Sequence, residues 1–555
     1  MINIGKKCLA ALLAASMVFG VTGCGKQKKA KKPYVQSTAE VKNGTAKAEG
    51  KGKQQSEVPL IIGCGRLDKN FNPFLAQAAS DEQVMNLTQT KLFDTDRAGR
   101  LVEKGIDGEL REYNDENYTY YGIADIKKAR RTKANYTVYR ITIRDDLLFS
   151  DGQPITIDDV IFSLYAFCDN DYDGNVQLKS SNIRGLLNYQ ANNARAESYT
   201  DKQVKKYIRK KPAALQKWMQ KHSSDESGYE SALERQARYL MAKQAKKKTR
   251  VNSIEGIKRL NDYELRIYTT GYDSRFEEKL QIPICPLHYY GDTTKYSYNA
   301  NKFGFKRGDL SAIRANKSSP VGAGAYRFVK YDSGIAYFMA NELYYQGCPK
   351  ITYVQLKDLT KLFKDEDLTG AKLAEEMKGQ TVDVASLALT QSDLEAIGEI
   401  NGNGKMSGNE INTCQSANAS YAYWGLNPYR VCINNEPFSE QSAALRHAIA
   451  MVVSACRGVQ METEGAKLTS VNAQAAKDSW LSPEQPNEDK LCYAETPDGK
   501  EQIYKTDDAV DQKREEAQQT ALKWLEKAGY TVEDGKVTAC LLYTSPSPRD
   551  ISGSR

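Results

Sequence analysis

Five aspartates crowd residues 145–159: Asp145, Asp146, Asp151, Asp158 and Asp159. Carboxylates at this density could hold a divalent cation or share acid–base work, because neighbouring like charges push their pKa values apart. The spacing also has a structural reading. Thr156 followed by Asp159 is a capping box, with Ile155 and Val160 at the hydrophobic-staple positions. Asp158 falls in the first helical turn, where negative charge complements the helix dipole. Val160, Ile161, Leu164 and Phe167 then form an apolar stripe. Ser150-Asp151-Gly152-Gln153-Pro154 is turn chemistry. Three of the five acids thus have local structural work, which is preferred here over catalysis or metal binding.

Two other runs resemble calcium loops. Residues 169–180 offer Asp169, Asp171, Asp173, Gly174 and Val176, but Ser180 stands where a bidentate glutamate belongs. Residues 399–410 offer Asn401, Asn403, Gly404, Met406 and Glu410, but begin with Glu399. Asn/Gly-rich runs are also ordinary turns, so calcium stays open at both and no metal ligand is assigned. There is no G-x-S-x-G, H-E-x-x-H or P-loop, and the three histidines, His222, His288 and His447, are scattered. No catalytic residue and no cofactor are assigned. A carboxylate pair acting on a glycosidic bond is the remaining enzymatic alternative.

The elements that would position such residues mix strands and helices, which favours an α/β architecture of several layers. Residues 135–146 alternate, with Tyr139, Ile141 and Ile143 on one face of a strand. Residues 253–270 read as a hairpin turning at Asn261-Asp262, with Tyr263, Leu265 and Ile267 on one side. A helix is expected from Ser80 as N-cap, with Gln83 three residues on. Residues 201–250 hold two charged helical stretches around Trp218 and Leu240. Near the end, Ala517, Ala521, Leu525 and Ala528 form a stripe, Gly529 stops that helix, and Asp534-Gly535 turns a hairpin.

The formal charge of +8 has a location. Lys6 and Lys7 carry two charges, and nine lysines against three glutamates lie between Cys24 and Glu57, so the body beyond is formally neutral. A nucleic-acid binder places its excess on the folded domain, so no nucleic-acid partner is expected. Residues 1–23 read as a signal peptide whose apolar run is too short to span a bilayer. Gly23-Cys24-Gly25 resembles a lipoprotein box with Val21 in place of the usual leucine, making Cys24 the expected lipidation site. Residues 24–57 read as a disordered, Lys-rich tether. The other cysteines are scattered without CxxC, and buried free thiols are expected, with one or two bridges possible.

Three blocks carry a family resemblance. In "LFSDGQPITIDDVIFSL", Phe149, Asp151, Gly152, Pro154, Thr156, Asp159 and Val160 match the signature of extracellular solute-binding proteins of the peptide/nickel class, with Ile157 in place of alanine. In the second, Pro320, Gly322, Gly324, Tyr326, Asn341, Tyr344, Gly347, Pro349 and Lys350 match, with Ala325 where proline is usual. The third, "NNEPFSEQSAALRHAIAMVVS", is similar to a family helix, with Ser454 near a usual aspartate.

The resemblance implies a two-lobed, periplasmic-binding-protein-like α/β fold with an extra subdomain beside the first lobe. Lobe 1 with a charged helical insertion near 190–250 is expected at 58–315 and a partial lobe 2 at 316–539. Residues 540–555 read as a non-native, adaptor-derived tail. The expected function is capture of oligopeptides in an interlobe cleft and delivery to the permease subunits of an ABC importer. The protein would be a monomer, lipid-anchored on the outer face of the bacterial cytoplasmic membrane, with no chemistry on its ligand. Carriage of nickel complexes, haem or sugars is the alternative within the class; a secreted carboxylate hydrolase or a surface adhesin lies outside it. The lobe segment beyond residue 539 would include the acidic residue that pairs with a peptide's amino terminus in relatives, so weak peptide binding by this chain is expected. Candidate ligand contacts are Arg66 and Asn72 after the first strand, and Tyr423, Trp424 and Asn427 on a strand-like run.

Overall fold

The computed structural model describes residues 58–113, 115–222, 228–247, 249–316, 318–363, 369–386, 391–414, 423–456, 494–505 and 508–540. The segments read as signal peptide and tether, with Cys24, and residues 541–555 lie outside them. The fold is mixed α/β.

The described residues open with β1 (Leu60–Cys64), α1 (Ala79–Thr88) and the hairpin β2 (Glu109–Tyr113) and β3 (Glu116–Tyr120). β4 (Ala124–Arg131) and β5 (Tyr136–Ile143) lead into α2 (Ile157–Phe167). A helical insertion follows: α3 (Leu186–Ala191), α4 (Asp201–Arg209), α5 (Ala213–Lys221) and α6 (Tyr229–Gln244). Then come β6 (Ile257–Asn261), β7 (Glu264–Thr270), α7 (Leu287–Tyr290), β8 (Tyr296–Ser297), β9 (Lys302–Phe303) and α8 (Ser311–Ala315).

β4, β5, β7 and β6 lie in that order in an antiparallel sheet. In β5, Thr137, Tyr139, Ile141 and Ile143 are buried, the period-2 pattern the sequence shows. The β6–β7 turn falls at Asp262-Tyr263, one residue later than expected, and a bulge between Arg259 and Asn261 absorbs the offset. The capping box at α2 is present: the Thr156 backbone N–H donates to Asp159 Oδ2 at 2.9 Å, and Thr156 Oγ1 accepts from the Asp158 N–H at 3.3 Å. Beyond its first turn α2 is buried on every side, not along one stripe, because it lies inside the main core. Where the sequence suggests two charged helical stretches there are three helices. The additional one, α4, starts with its own capping box, Thr200 and Gln203.

The second sheet begins again at β10 (Tyr326–Asp332), β11 (Ile335–Ala340) and β12 (Tyr353–Asp358), followed by α9 (Leu359–Leu362), α10 (Gly370–Lys378) and β13 (Val384–Ala385). Its strand order is β10-β11-β12-β1-β13, with β1 parallel to both β12 and β13. The expected division at 315/316 therefore separates hydrogen-bonded neighbours: Leu60–Cys64 pairs residue by residue with 354–358. Long-range parallel pairing leaves no local mark in a sequence. The remaining chain forms α11 (Gln391–Ile400), α12 (Glu440–Ala455), α13 (Val510–Lys527), β14 (Tyr530–Glu533) and β15 (Lys536–Cys540). Gly529 (φ 95°) follows the C-cap of α13, and Asp534 and Gly535 both take positive φ in the hairpin turn, as their types favour. β15 runs through Cys540, the first residue of the segment read as adaptor-derived.

The first two resemblance blocks meet in space. The Ser150 N–H donates to Gly322 O at 2.9 Å, and the Gly324 N–H donates to Thr88 O at 2.9 Å, at the end of α1. A Cβ on Gly322 would lie 2.4 Å from Thr88 O, and one on Gly324 2.4 Å from Leu87 O. Neither glycine takes positive φ among the described residues; their role is close backbone approach. Asn341 locks the crossing, its Nδ2 donating to Gly324 O at 2.8 Å and its backbone N–H to Ala325 O at 2.9 Å.

A buried ion cluster ties the loop before β2 to that strand. Arg111 donates to Asp96 at 2.6 Å and to Glu109 at 2.7 Å, and the exposures of Arg111 and Asp96 are 7% and 4%. Burial raises both carboxyls, but the Arg111 bonds and backbone N–H groups outweigh it, leaving them below their ordinary values of 3.8 and 4.5. A carboxyl depressed by folding adds stability that is complete above its unfolded pKa and is lost as pH falls through the folded one.

Two outcomes follow from these contacts. Gly324→Ala forces a methyl against backbone carbonyl oxygen and is expected to cost about 1–3 kcal/mol or more in urea unfolding; an unchanged midpoint would contradict the close approach. Arg111→Met leaves buried carboxylates without their cation and is expected to cost about 3–5 kcal/mol at neutral pH. That deficit should shrink as pH falls below about 4 and the carboxyls are neutralised. A deficit constant with pH would refute the ionic origin.

Candidate functional site

Parallel strands bring their carboxyl ends to one edge, and in open α/β sheets ligands bind outside that edge. Here the edge carries the loop from Gly65 to Phe74, and two buried carboxylates shape it. Asp358, at the end of β12, accepts from the Leu67 N–H at 3.2 Å and, through its other oxygen, from Thr360 Oγ1 at 2.6 Å. Asp81, in the first turn of α1, accepts from the Asp68 N–H at 3.1 Å and the Asn70 N–H at 3.2 Å. Burial pushes the Asp81 carboxyl up, and these backbone bonds offset part of that rise. α1 itself begins two residues earlier than expected: Ala78 is its N-cap, with no side-chain capping bond, and Ser80 lies buried within the first turn.

Arg66 is presented by this loop. Its side chain is 79% exposed and its Nε meets Asp68 Oδ1 at 3.0 Å, a solvated pair that a ligand carboxylate can replace at small cost. Asn72 works inside the fold. Its Nδ2 donates to Ile313 O at 2.6 Å and Asn316 O at 3.0 Å, while its Oδ1 accepts from the Phe74 N–H at 2.9 Å. Both amide protons are spent pinning the loop to α8, so Asn72 positions the segment that carries Arg66.

Pro73 and Phe74 continue from the loop into the wall of a cleft of about 560 Å3 that Met85 of α1, Gln89 at its C-cap, Tyr344 and Tyr345 also line. That volume is in the range of small-molecule sites. Burial pushes both tyrosine hydroxyls up, so they stay protonated donors. Tyr344 belongs to the second resemblance block, but nothing in its spacing marks it as a wall residue.

Tyr423, Trp424 and Asn427 do not lie on a strand. Their segment is irregular, with Tyr423 81% and Trp424 59% exposed. Asn427 starts a turn, its Oδ1 accepting from the Tyr429 N–H at 2.9 Å and its carbonyl from the Val431 N–H at 2.8 Å. Pro428, directly after Asn427, has no N–H to offer a strand ladder.

Four of the five acids of 145–159 are engaged within the fold. Asp158 receives Arg259 Nε at 2.8 Å and Tyr296 Oη at 2.7 Å. The second oxygen of Asp159 accepts from the Leu287 N–H at 3.0 Å. Asp151 lies 2.7 Å from His288 Nε2, and Asp146 pairs with Arg144 at 2.6 Å. At 169–173, Asp169 accepts from the Asp171 N–H at 2.8 Å and the Gly308 N–H at 2.9 Å. Asp171 accepts from the Leu310 N–H at 2.8 Å. The Arg314 guanidinium bonds both Asp171 and Asp173, so an internal cation already stands among these carboxylates. In the second run Asn401 Nδ2 donates to Lys405 O and Ile411 O, each at 3.1 Å, presenting amide protons inward where calcium needs oxygen. Arg314→Ala is expected to destabilise the protein by about 1–3 kcal/mol, while the parent should give no binding heat with millimolar calcium. Calcium heat with Arg314 in place would refute the guanidinium's role.

No curated protein sequence matches the chain. Among solved structures it is similar to the oligopeptide-binding protein AppA from Bacillus subtilis in complex with a nonapeptide, at 14% identity and a TM-score of 0.47, covering 87% of this chain and 66% of that one. It is also similar to the ABC transporter substrate-binding protein CtaP from Listeria monocytogenes, at 15% identity and a TM-score of 0.35, covering 72% and 54%. NikZ from Campylobacter jejuni in complex with Ni(L-His) is 20% identical with a TM-score of 0.32, covering 61% and 45%. The chain thus spans under two thirds of the length of each, and these stand as likenesses alone. The model of the bacterial extracellular solute-binding proteins, family 5 middle region, matches residues 125–551, most of the chain. With that match, the chain belongs to family 5 of the bacterial extracellular solute-binding proteins.

Proposed function

We propose that the protein captures extracellular oligopeptides and hands them to the permease subunits of an ABC importer, without acting on them chemically. The observation that carries this reading is Arg66, held exposed at the carboxyl edge of parallel strands by the buried Asp81 and Asp358. A guanidinium in that setting suits a ligand carboxylate, with planar donors that match it. Tyr423 and Trp424 supply exposed aromatic faces of the kind that cover apolar side chains, and Asn427 shapes the turn beside them. Family membership supports the binding role, and hinge closure of two lobes over the ligand is the motion the class uses. Cys24 would carry the lipid that keeps a monomeric receptor on the outer face of the cytoplasmic membrane, with residues 24–57 as its tether. A carrier of nickel complexes, haem or sugars is the second reading, since one fold hosts several ligands.

Thermal unfolding of the product of the full gene, with pooled short peptides, nickel–histidine complexes or sugars, separates these readings. Peptides are expected to raise the midpoint, and Arg66→Ala to weaken their binding roughly ten-fold without lowering the unliganded midpoint. A shift with the metal complex or a sugar, and none with peptides, would replace the peptide reading. Ligand turnover would overturn the non-enzymatic one.

A further inference from the structure

A second concavity, of about 390 Å3, is lined by Arg250, Lys295, Lys302, Lys306 and Arg307, with no carboxylate in its wall. Lys295 pairs with Asp292 at 2.7 Å and Lys306 meets Asp309 at 3.7 Å. Asp169 also acts electrostatically on Arg307, so five cations less three carboxylates leave an excess of two positive charges. The body of the protein is formally neutral beyond residue 57, so this is a local concentration of charge rather than a share of a basic surface.

The pocket is also built to stay in place. Arg307 donates to Tyr189 O at 3.2 Å and to Val251 O, and its guanidinium lies 4.9 Å from the Tyr189 ring centroid. Lys302 stands on β9, and the next residue, Phe303, is stacked on Tyr165 at 3.5 Å and 13°, giving a rigid floor. Arg250 and Lys302 are exposed, and no ion pair to either is present among the described residues. Like charges gathered against low-dielectric walls focus field and repel one another, a strain that a bound anion relieves. Guanidinium and ammonium groups together suit phosphate oxygens, the first through paired donors and the second as point charges.

We propose that this pocket binds a compact phosphate-type anion, carried either by a small solute or by an anionic lipid headgroup. The site is separate from the loop at residues 65–74 and does not rest on the peptide reading. The test is calorimetric titration with inorganic phosphate at low and physiological ionic strength, beside co-sedimentation with phosphatidylglycerol/phosphatidylcholine vesicles. The double variant Arg250→Gln, Lys302→Gln alters two exposed side chains and should keep the parent's thermal midpoint. Binding by the parent that weakens with salt, and roughly ten-fold or more in the double variant, is the expected result. Phosphate binding assigns the free anion; variant-sensitive vesicle binding without it assigns the headgroup. Vesicle binding equal in both proteins would come from the Lys-rich tether and, with no phosphate heat, would overturn the proposal. So would phosphate heat that the double variant retains in full.

Discussion

Where the end of α1 meets the turn at Gly322–Gly324, two backbones touch with no side chain between them. Most of the architecture depends on that contact. It joins the sheet containing β10 to the helix that follows β1. Through the Ser150–Gly322 bond it also joins the strand–turn–helix unit of the antiparallel sheet. A methyl group at either glycine would hold these pieces apart, and the bonds to Thr88 O and from Ser150 N–H would stretch beyond useful length. The second resemblance block is therefore a joint, and its glycines are required by space more than by torsion.

Buried carboxylates set the next level. Asp81, Asp159, Asp169 and Asp358 each accept backbone N–H groups from a loop remote from their own element or just beyond its end. Each converts a flexible connection into a fixed one, at the cost of removing a charge from water. For Asp81, Asp159 and Asp169 the cost shows directly, because burial raises their pKa against the pull of the backbone bonds. These four aspartates each pin a segment, and one of the pinned loops presents Arg66.

The parts legible in the sequence obey short-range rules. The Thr156–Asp159 capping box, the alternation of β5 and the Asp534-Gly535 turn each depend on residues within a few positions of one another. What stayed hidden depends on partners far away in the chain. Arg314 among Asp171 and Asp173 has no signature near the calcium-like loop it fills. Asn72 looks like a cleft residue until its amide is seen bonded at 313 and 316. The Tyr423–Asn427 run has strand-like residue types, but strand formation needs a neighbour, and none pairs with it among the described residues.

The pairing of β1 with β12 also bears on how the protein is made. Cys64 and its partners at 357 and 358 are separated by nearly the whole described N-terminal half; the Cys64–Lys357 contact alone spans 293 residues. At roughly 5–20 residues per second, synthesis of that interval takes about 15–60 s. Throughout it the first strand has neither of its sheet neighbours, while the antiparallel sheet at 124–270 gains all of its strands before the interval ends. The first described element is thus among the last to be seated, and an unpaired apolar strand must stay clear of wrong partners until its own arrives.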